Sequence, residues 1–219
     1  VVDLLTHVAP DTELPNSKWT AHDAGAHLVT LIGRYLKPDR KLPDSAQDIA
    51  AVNQAELAEF DDDSMGALVG RLRSRHAKYG AFWPELPLDQ MLFLRGGLPL
   101  DVASLRTNWI TELLVHGRDV ALAVGEPWPI DNTNSLLALR LLANVLHTYL
   151  RVARHDDYTL IVAAEGALPF SIVIKDGEAK IREGSTEGAD RLAGAPETLV
   201  LLFCGRIDLK EALAGGAYI

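Results

Sequence analysis

Glu112 and His116 stand four residues apart in Arg106–Gly125, RTNWITELLVHGRDVALAVG. On an α-helix that spacing puts both side chains on one face, so a single ion beside the helix could reach both. Leu105, Trp109, Glu112, His116, Asp119 and Ala123 follow one another at helical intervals, the seam that a bundle helix turns inward. Three polar residues therefore occupy positions where apolar ones are expected. Burying a carboxylate and an imidazole is costly unless something pairs with them, and a divalent cation would pair with both. The same spacing also suits a pair that satisfies itself by hydrogen bonding, and E-x-x-x-H recurs by chance in helices. A catalytic zinc usually takes three protein ligands and keeps a fourth position open. His27 would complete such a set if its helix neighbours that of Glu112 and His116. Taken alone, His27 shares a face with Ala24, Leu28, Leu31 and Tyr35, which equally suits a hydrogen-bonded core histidine.

The elements that must position these residues can be read from periodicity and punctuation. Val1–Val8 reads as the end of a helix whose first turns are missing, followed by a loop broken by Pro15. A second helix opens at Lys18–Thr20, where Thr20 and Asp23 have capping-box spacing, and runs toward Pro38. KPDRKLPDS is a loop, Ala46–Phe60 a helix, and DDDS a turn that caps a helix from Met65 to about Tyr79. Prolines and glycines from Pro84 to Pro99 mark a connector, after which Asp101 opens the helix of Glu112 and His116; Gly125, Pro127 and Pro129 end it. Ser135–Arg154 is again helical. From Tyr158 onward the pattern turns to short β-like runs, with an Asp-Gly hairpin signal at Lys175–Glu178. A short helix near Thr186–Leu192, a strand at Thr198–Cys204 and a final helix from Asp208 to about Leu213 complete the reading. Helices first and mixed elements later predict an α+β protein, with a helical domain over residues 1–131 and a small α+β domain over 132–219.

Composition excludes several classes. The chain has 219 residues, 48% of them hydrophobic and 23% charged, enough to bury a substantial core. A net charge of -9 argues against a nucleic-acid partner, and the single basic run, Arg71–Lys78, reads as a solvated helix face. No apolar run approaches a membrane span and no signal-peptide pattern opens the chain, so a cytoplasmic protein without a membrane partner is expected. Cys204 is the only cysteine, which excludes an intramolecular disulfide; inside TLVLLFCG it reads as buried and inert.

Two stretches carry a family resemblance: Trp19–Leu28, WTAHDAGAHL, and Glu112–Pro127, ELLVHGRDVALAVGEP. They resemble the two signatures of the mycothiol-dependent maleylpyruvate isomerase family within the DinB-like metal-binding bundles, and the resemblance extends over most of the chain. It implies a DinB-like four-helix bundle that holds zinc, or another divalent metal, through His27, Glu112 and His116. It also implies a smaller, sterol-carrier-like carboxy-terminal domain, to which Pro196–Leu213 is similar, with Arg206 where the family carries a functionally important arginine. The implied cofactor is mycothiol or a similar low-molecular-weight thiol, and the implied partner a small electrophilic substrate, in a monomer or homodimer. A metal-bound thiolate would add to the cis double bond of maleylpyruvate, rotation about the resulting single bond would follow, and elimination would release the trans product. Arg206 would hold a substrate carboxylate; Asp119 and Asp23 would orient ligand imidazoles or serve only as an ion-pair partner and a helix cap. Two other activities share the same residues: transfer of the thiol to an electrophile with the adduct retained, or non-enzymatic binding of an apolar ligand beside a structural metal.

Overall fold

The computed structural model describes residues 1–15, 17–37, 48–94, 98–150, 157–184 and 190–219. The chain is α+β and divides into two compact units, Val1–Pro129 and Ile130–Ile219.

The first unit contains α1 (Val2–His7), α2 (Ala21–Tyr35), α3 (Ile49–Leu57), α4 (Met65–Phe82) and α5 (Val102–Val124). A hairpin of β1 (Met91–Leu94) and β2 (Leu98–Asp101) precedes α5. Helix α2 is the centre of this unit and packs against α3, α4 and α5. Its alanines and Gly25 permit that: Ala21, Ala24, Ala26, Leu28, Val29 and Ile32 are all buried, and Gly25 lies close to Leu5, Met65 and Leu68. The Thr20–Asp23 capping box is formed, each side chain meeting the other residue's backbone N–H. Ser64 caps α4 and Asp101 caps α5, the latter with Oδ1 accepting from the Ser104 N–H at 2.6 Å. Gly125, at φ 72°, ends α5 in the left-handed conformation that glycine adopts without a Cβ penalty. Trp128 then folds back over α5: its indole N–H donates to the Leu114 carbonyl at 3.1 Å, and its ring covers Gly117 so closely that a Cβ there would overlap it. An aromatic cluster of Tyr35, Tyr79, Trp83 and Trp109 fills the far end of the core. The basic run on α4 is mostly exposed as expected, but Arg75 is half-buried and reaches across Gly33 to donate to the Val29 carbonyl.

The second unit contains α6 (Asn132–Val145), a four-stranded sheet, α7 (Pro196–Phe203) and α8 (Leu209–Ala214). Its strands are β3 (Tyr158–Ala164), β4 (Phe170–Lys175), β5 (Glu178–Glu183) and β6 (Asp190–Gly194), in spatial order β5-β4-β3-β6. The first three form antiparallel pairs, and β6 lies parallel to β3. Asp176 and Gly177, both at positive φ, make the tight turn between β4 and β5. Helices α6 and α7 pack together, α6 against β5 and α7 against β6.

Three expectations are corrected. Thr198–Cys204 is not a strand: Pro196 starts a helix that runs through Phe203, and an apolar run of that length suits a buried strand and a buried helix alike. No helix spans Thr186–Leu192; residues 190–194 form β6, and 185–189 lie outside the described residues. Cys204 is accordingly the half-exposed C-cap of α7, not a residue buried in a strand. The connector before α5 also holds the β1–β2 hairpin, while Gly96, Gly97, most of the expected KPDRKLPDS loop and His155 lie outside the described residues. Among the described residues, no helix is long and apolar enough to cross a membrane.

Candidate metal centre

Each of the three metal-ligand candidates is delivered by a helix whose ends are fixed. His27 lies in the middle of α2, downstream of the capping box; Glu112 and His116 lie in the middle of α5, between the Asp101 cap and Gly125. Because α2 and α5 pack together, the three side chains meet. One potential ligand atom from each lies within 4.8 Å of the others. Glu112 Oε2 is 3.2 Å from His116 Nε2 and 3.6 Å from His27 Nε2, so both imidazoles turn the same ring nitrogen toward one carboxylate oxygen. The rings are 4.9 Å apart between centroids and edge-on. Both imidazoles are about 6% exposed and Glu112 20%, so Glu112 is the most exposed of the three.

Burial pushes the His27 pKa below its ordinary value; the hydrogen-bonding carboxylate of Glu112 opposes this, and His116 adds to it. For Glu112 burial alone would raise the pKa, but the two imidazoles outweigh it and hold the carboxyl well below the usual carboxylate range. A neutral imidazole on His27 and an ionised Glu112 are the forms that ligate metals. Two imidazole nitrogens and one carboxylate oxygen, buried and convergent, fit the three-ligand set of a catalytic zinc.

Around the cluster, Asp119 Oδ2 is 3.5 Å from His116 Nδ1, on the opposite side of the ring from Glu112. Asp23 is occupied at the cap, its Oδ2 accepting from the Thr20 backbone and hydroxyl at 2.8 and 3.1 Å. Trp19 closes one wall, its ring lying nearly parallel to His116 at 5.4 Å and tilted against His27 at 4.8 Å. The backbone fixes that wall: the Trp19 carbonyl accepts from Leu14 N–H at 2.9 Å, and Ala21 and His22 donate back to Thr12 and Pro10. Contact of Trp19 with both imidazoles is a tertiary fact that its place in the sequence does not give. Trp109 belongs to the aromatic cluster. His22 points away from the cluster and its Nε2 hydrogen-bonds the Asp63 carbonyl at 2.8 Å. Arg206 lies in the second unit, just beyond α7, half-buried, with Nη1 donating to the Cys204 carbonyl at 3.0 Å.

No protein-family model and no curated protein matches this chain. Among solved structures, a mutant of the mycothiol-dependent maleylpyruvate isomerase, with a histidine changed to alanine, matches with a TM-score of 0.55 at 15% identity. The match covers 94% of this chain and 83% of that one. A second structure, of the mycothiol-dependent maleylpyruvate isomerase, matches over the same shares at 17% identity and a TM-score of 0.49. At such identity the first likeness establishes a shared fold, and the chain has the fold of that isomerase over nearly its whole length.

Proposed function

We propose that this protein is a metal-dependent enzyme that uses a low-molecular-weight thiol, mycothiol or a close equivalent, to isomerise an activated cis double bond of the maleylpyruvate type. The observation that carries the reading is the convergence of His27, Glu112 and His116 in one largely buried cluster. The fold shared with the isomerase supports it. When bound, a divalent ion such as zinc would supply the positive charge that keeps a thiol in its nucleophilic thiolate form.

The chain's own residues prepare that chemistry. His27 and His116 offer Nε2 to the ion, and Glu112 offers Oε2 and lowers the net charge of the centre. Asp119 beside His116 Nδ1 favours the tautomer that keeps the proton on Nδ1 and leaves Nε2 to ligate. Trp19 covers both imidazoles and limits water on that side. Arg206 is assigned the substrate carboxylate on the sequence resemblance alone, through the paired hydrogen bonds a guanidinium makes.

The test is metal content of wild type and His27→Ala, followed by thiol-dependent turnover of maleylpyruvate and of a generic electrophile. Near-stoichiometric zinc in wild type, its loss in His27→Ala, and a trans product formed without consumption of thiol are expected. Equal metal in both proteins would overturn the ligand assignment, and a thiol adduct retained in the product would make the enzyme an S-transferase.

A further inference from the structure

A cavity of about 470 Å³ lies in the second unit, between α6 and the turn that joins β3 to β4. Every residue that lines it comes from Ile130–Ile219, so it shares none with the metal centre. Its volume falls within the range of small-molecule sites, about 300–1,000 Å³.

Most of the wall is apolar, made by Leu136, Leu137, Leu139, Leu168 and Phe170. Leu139 and Phe170 are buried, but Leu137 is 37% and Leu168 80% exposed. The turn that bears Leu168 is closed by the bond from the Ala167 N–H to the Ala164 carbonyl at 3.2 Å. Gly166, at φ 80°, sets that turn against Leu136. Two large apolar side chains are thus held in contact with water at the rim of an apolar cavity, and an apolar guest would bury both.

Charge decides what kind of apolar guest. Arg140 and Glu183 line the same cavity. Glu183 also lines an adjoining groove together with His147, Lys180 and Arg182, so its charge is offset from that side. Lys180 is paired with Glu178 at 3.3 Å, but among the described residues no hydrogen bond or ion pair holds the side chain of Arg140 or Arg182. The rim is therefore basic on a chain whose net charge is -9. A guanidinium beside leucines suits a carboxylate on a hydrocarbon body: it offers paired N–H donors to the head while the body displaces water from the wall. An ammonium head would be repelled by Arg140, and a neutral one would forgo the charge-assisted bonds.

We propose that this cavity binds an organic acid with an apolar body, its carboxylate on Arg140 and its hydrocarbon part against Leu136, Leu168 and Phe170. The assignment does not depend on the metal-dependent reading of the first unit. It is tested by calorimetric titration of the full-length protein with hexanoate, octanoate and decanoate, and with decylammonium and decanol, all below the concentrations at which they aggregate. Two variants, Arg140→Glu and Leu168→Ser, change exposed side chains. The comparison of head groups needs no variant, so it stands whether or not a substitution is tolerated.

Affinity for the acids should rise about twofold to fourfold with each added methylene, the gain expected for burying a CH2 group. Decanoate should bind about tenfold or more tightly than decylammonium or decanol. Arg140→Glu should weaken decanoate about tenfold and leave decanol within about twofold, whereas Leu168→Ser should weaken both about threefold or more. No binding of any acid, affinity that ignores chain length, equal binding of decanoate and decylammonium, or an Arg140→Glu variant that binds decanoate as wild type does would each overturn the proposal. Decanol bound as tightly as decanoate would make the guest a neutral apolar molecule and overturn it as well.

Discussion

Glu112 and His27 make the metal-free centre sensitive to acid, and the sign follows from their shifts. The folded protein holds His27 below its ordinary value of 6.5, so as pH falls past 6.5 the unfolded chain takes up a proton that the folded chain refuses. Stability contributed by neutral His27 is therefore present above 6.5 and declines below it. Glu112 is held below its ordinary 4.5, so its contribution is present above 4.5 and is lost in a lower window, as pH drops toward its folded value. Both act in one direction. Metal-free protein should melt at progressively lower temperature as pH is lowered from about 7.5 to 5.5, and His27→Gln should flatten that slope. A wild-type profile already flat over this range would contradict the assignment. At this scale much was legible in advance: the four-residue spacing gave the Glu112–His116 pair, and helical phase turned His27 inward. Trp19 as a wall across both imidazoles was not legible, because it depends on a loop held by backbone bonds to residues 10–14.

Among the elements, α5 carries most of the centre, and its packing depends on a residue without a side chain. The Trp128 indole lies directly over Gly117, next to His116. Alanine is the better helix former by about 1 kcal/mol, so intrinsic preference favours Gly117→Ala. The overlap with an indole held by its own hydrogen bond opposes it, and overpacking of this kind costs about 1–3 kcal/mol. We expect Gly117→Ala to lower the melting temperature and to weaken metal retention in chelator competition, since a displaced ring strains the turn that bears His116. A stabilised variant would show that Trp128 yields freely. The helices with explicit caps, at Thr20, Ser64 and Asp101, were legible because a capping side chain is a local signal. Helix α7 and strand β6 were not. TLVLLFC lacks the alternation that separates strand from helix, and the pairing of DRLAG with β3 is made by residues thirty positions distant in the chain. The β1–β2 hairpin escaped for a different reason: Pro99 and the glycines before it read as a connector, and two four-residue strands leave little periodicity to detect.

At the level of the whole molecule, all three candidate ligands come from Val1–Pro129, while Arg206 comes from Ile130–Ile219. Metal binding and turnover should therefore separate genetically. A fragment of residues 1–129 should retain metal in proportion to wild type by elemental analysis yet show no thiol-dependent isomerisation, whereas Arg206→Lys in the full chain should keep metal and lose turnover. A fragment that folds, by circular dichroism, but holds no metal would mean that the second unit contributes to the centre.

Trp19 is tied down on both sides, by the bond from Leu14 to its carbonyl and by those from Ala21 and His22 to Thr12 and Pro10. Once that loop has closed on residues 10–14, the base from which the indole projects over His27 and His116 is set, so a change that loosens the loop reaches both imidazoles without touching either.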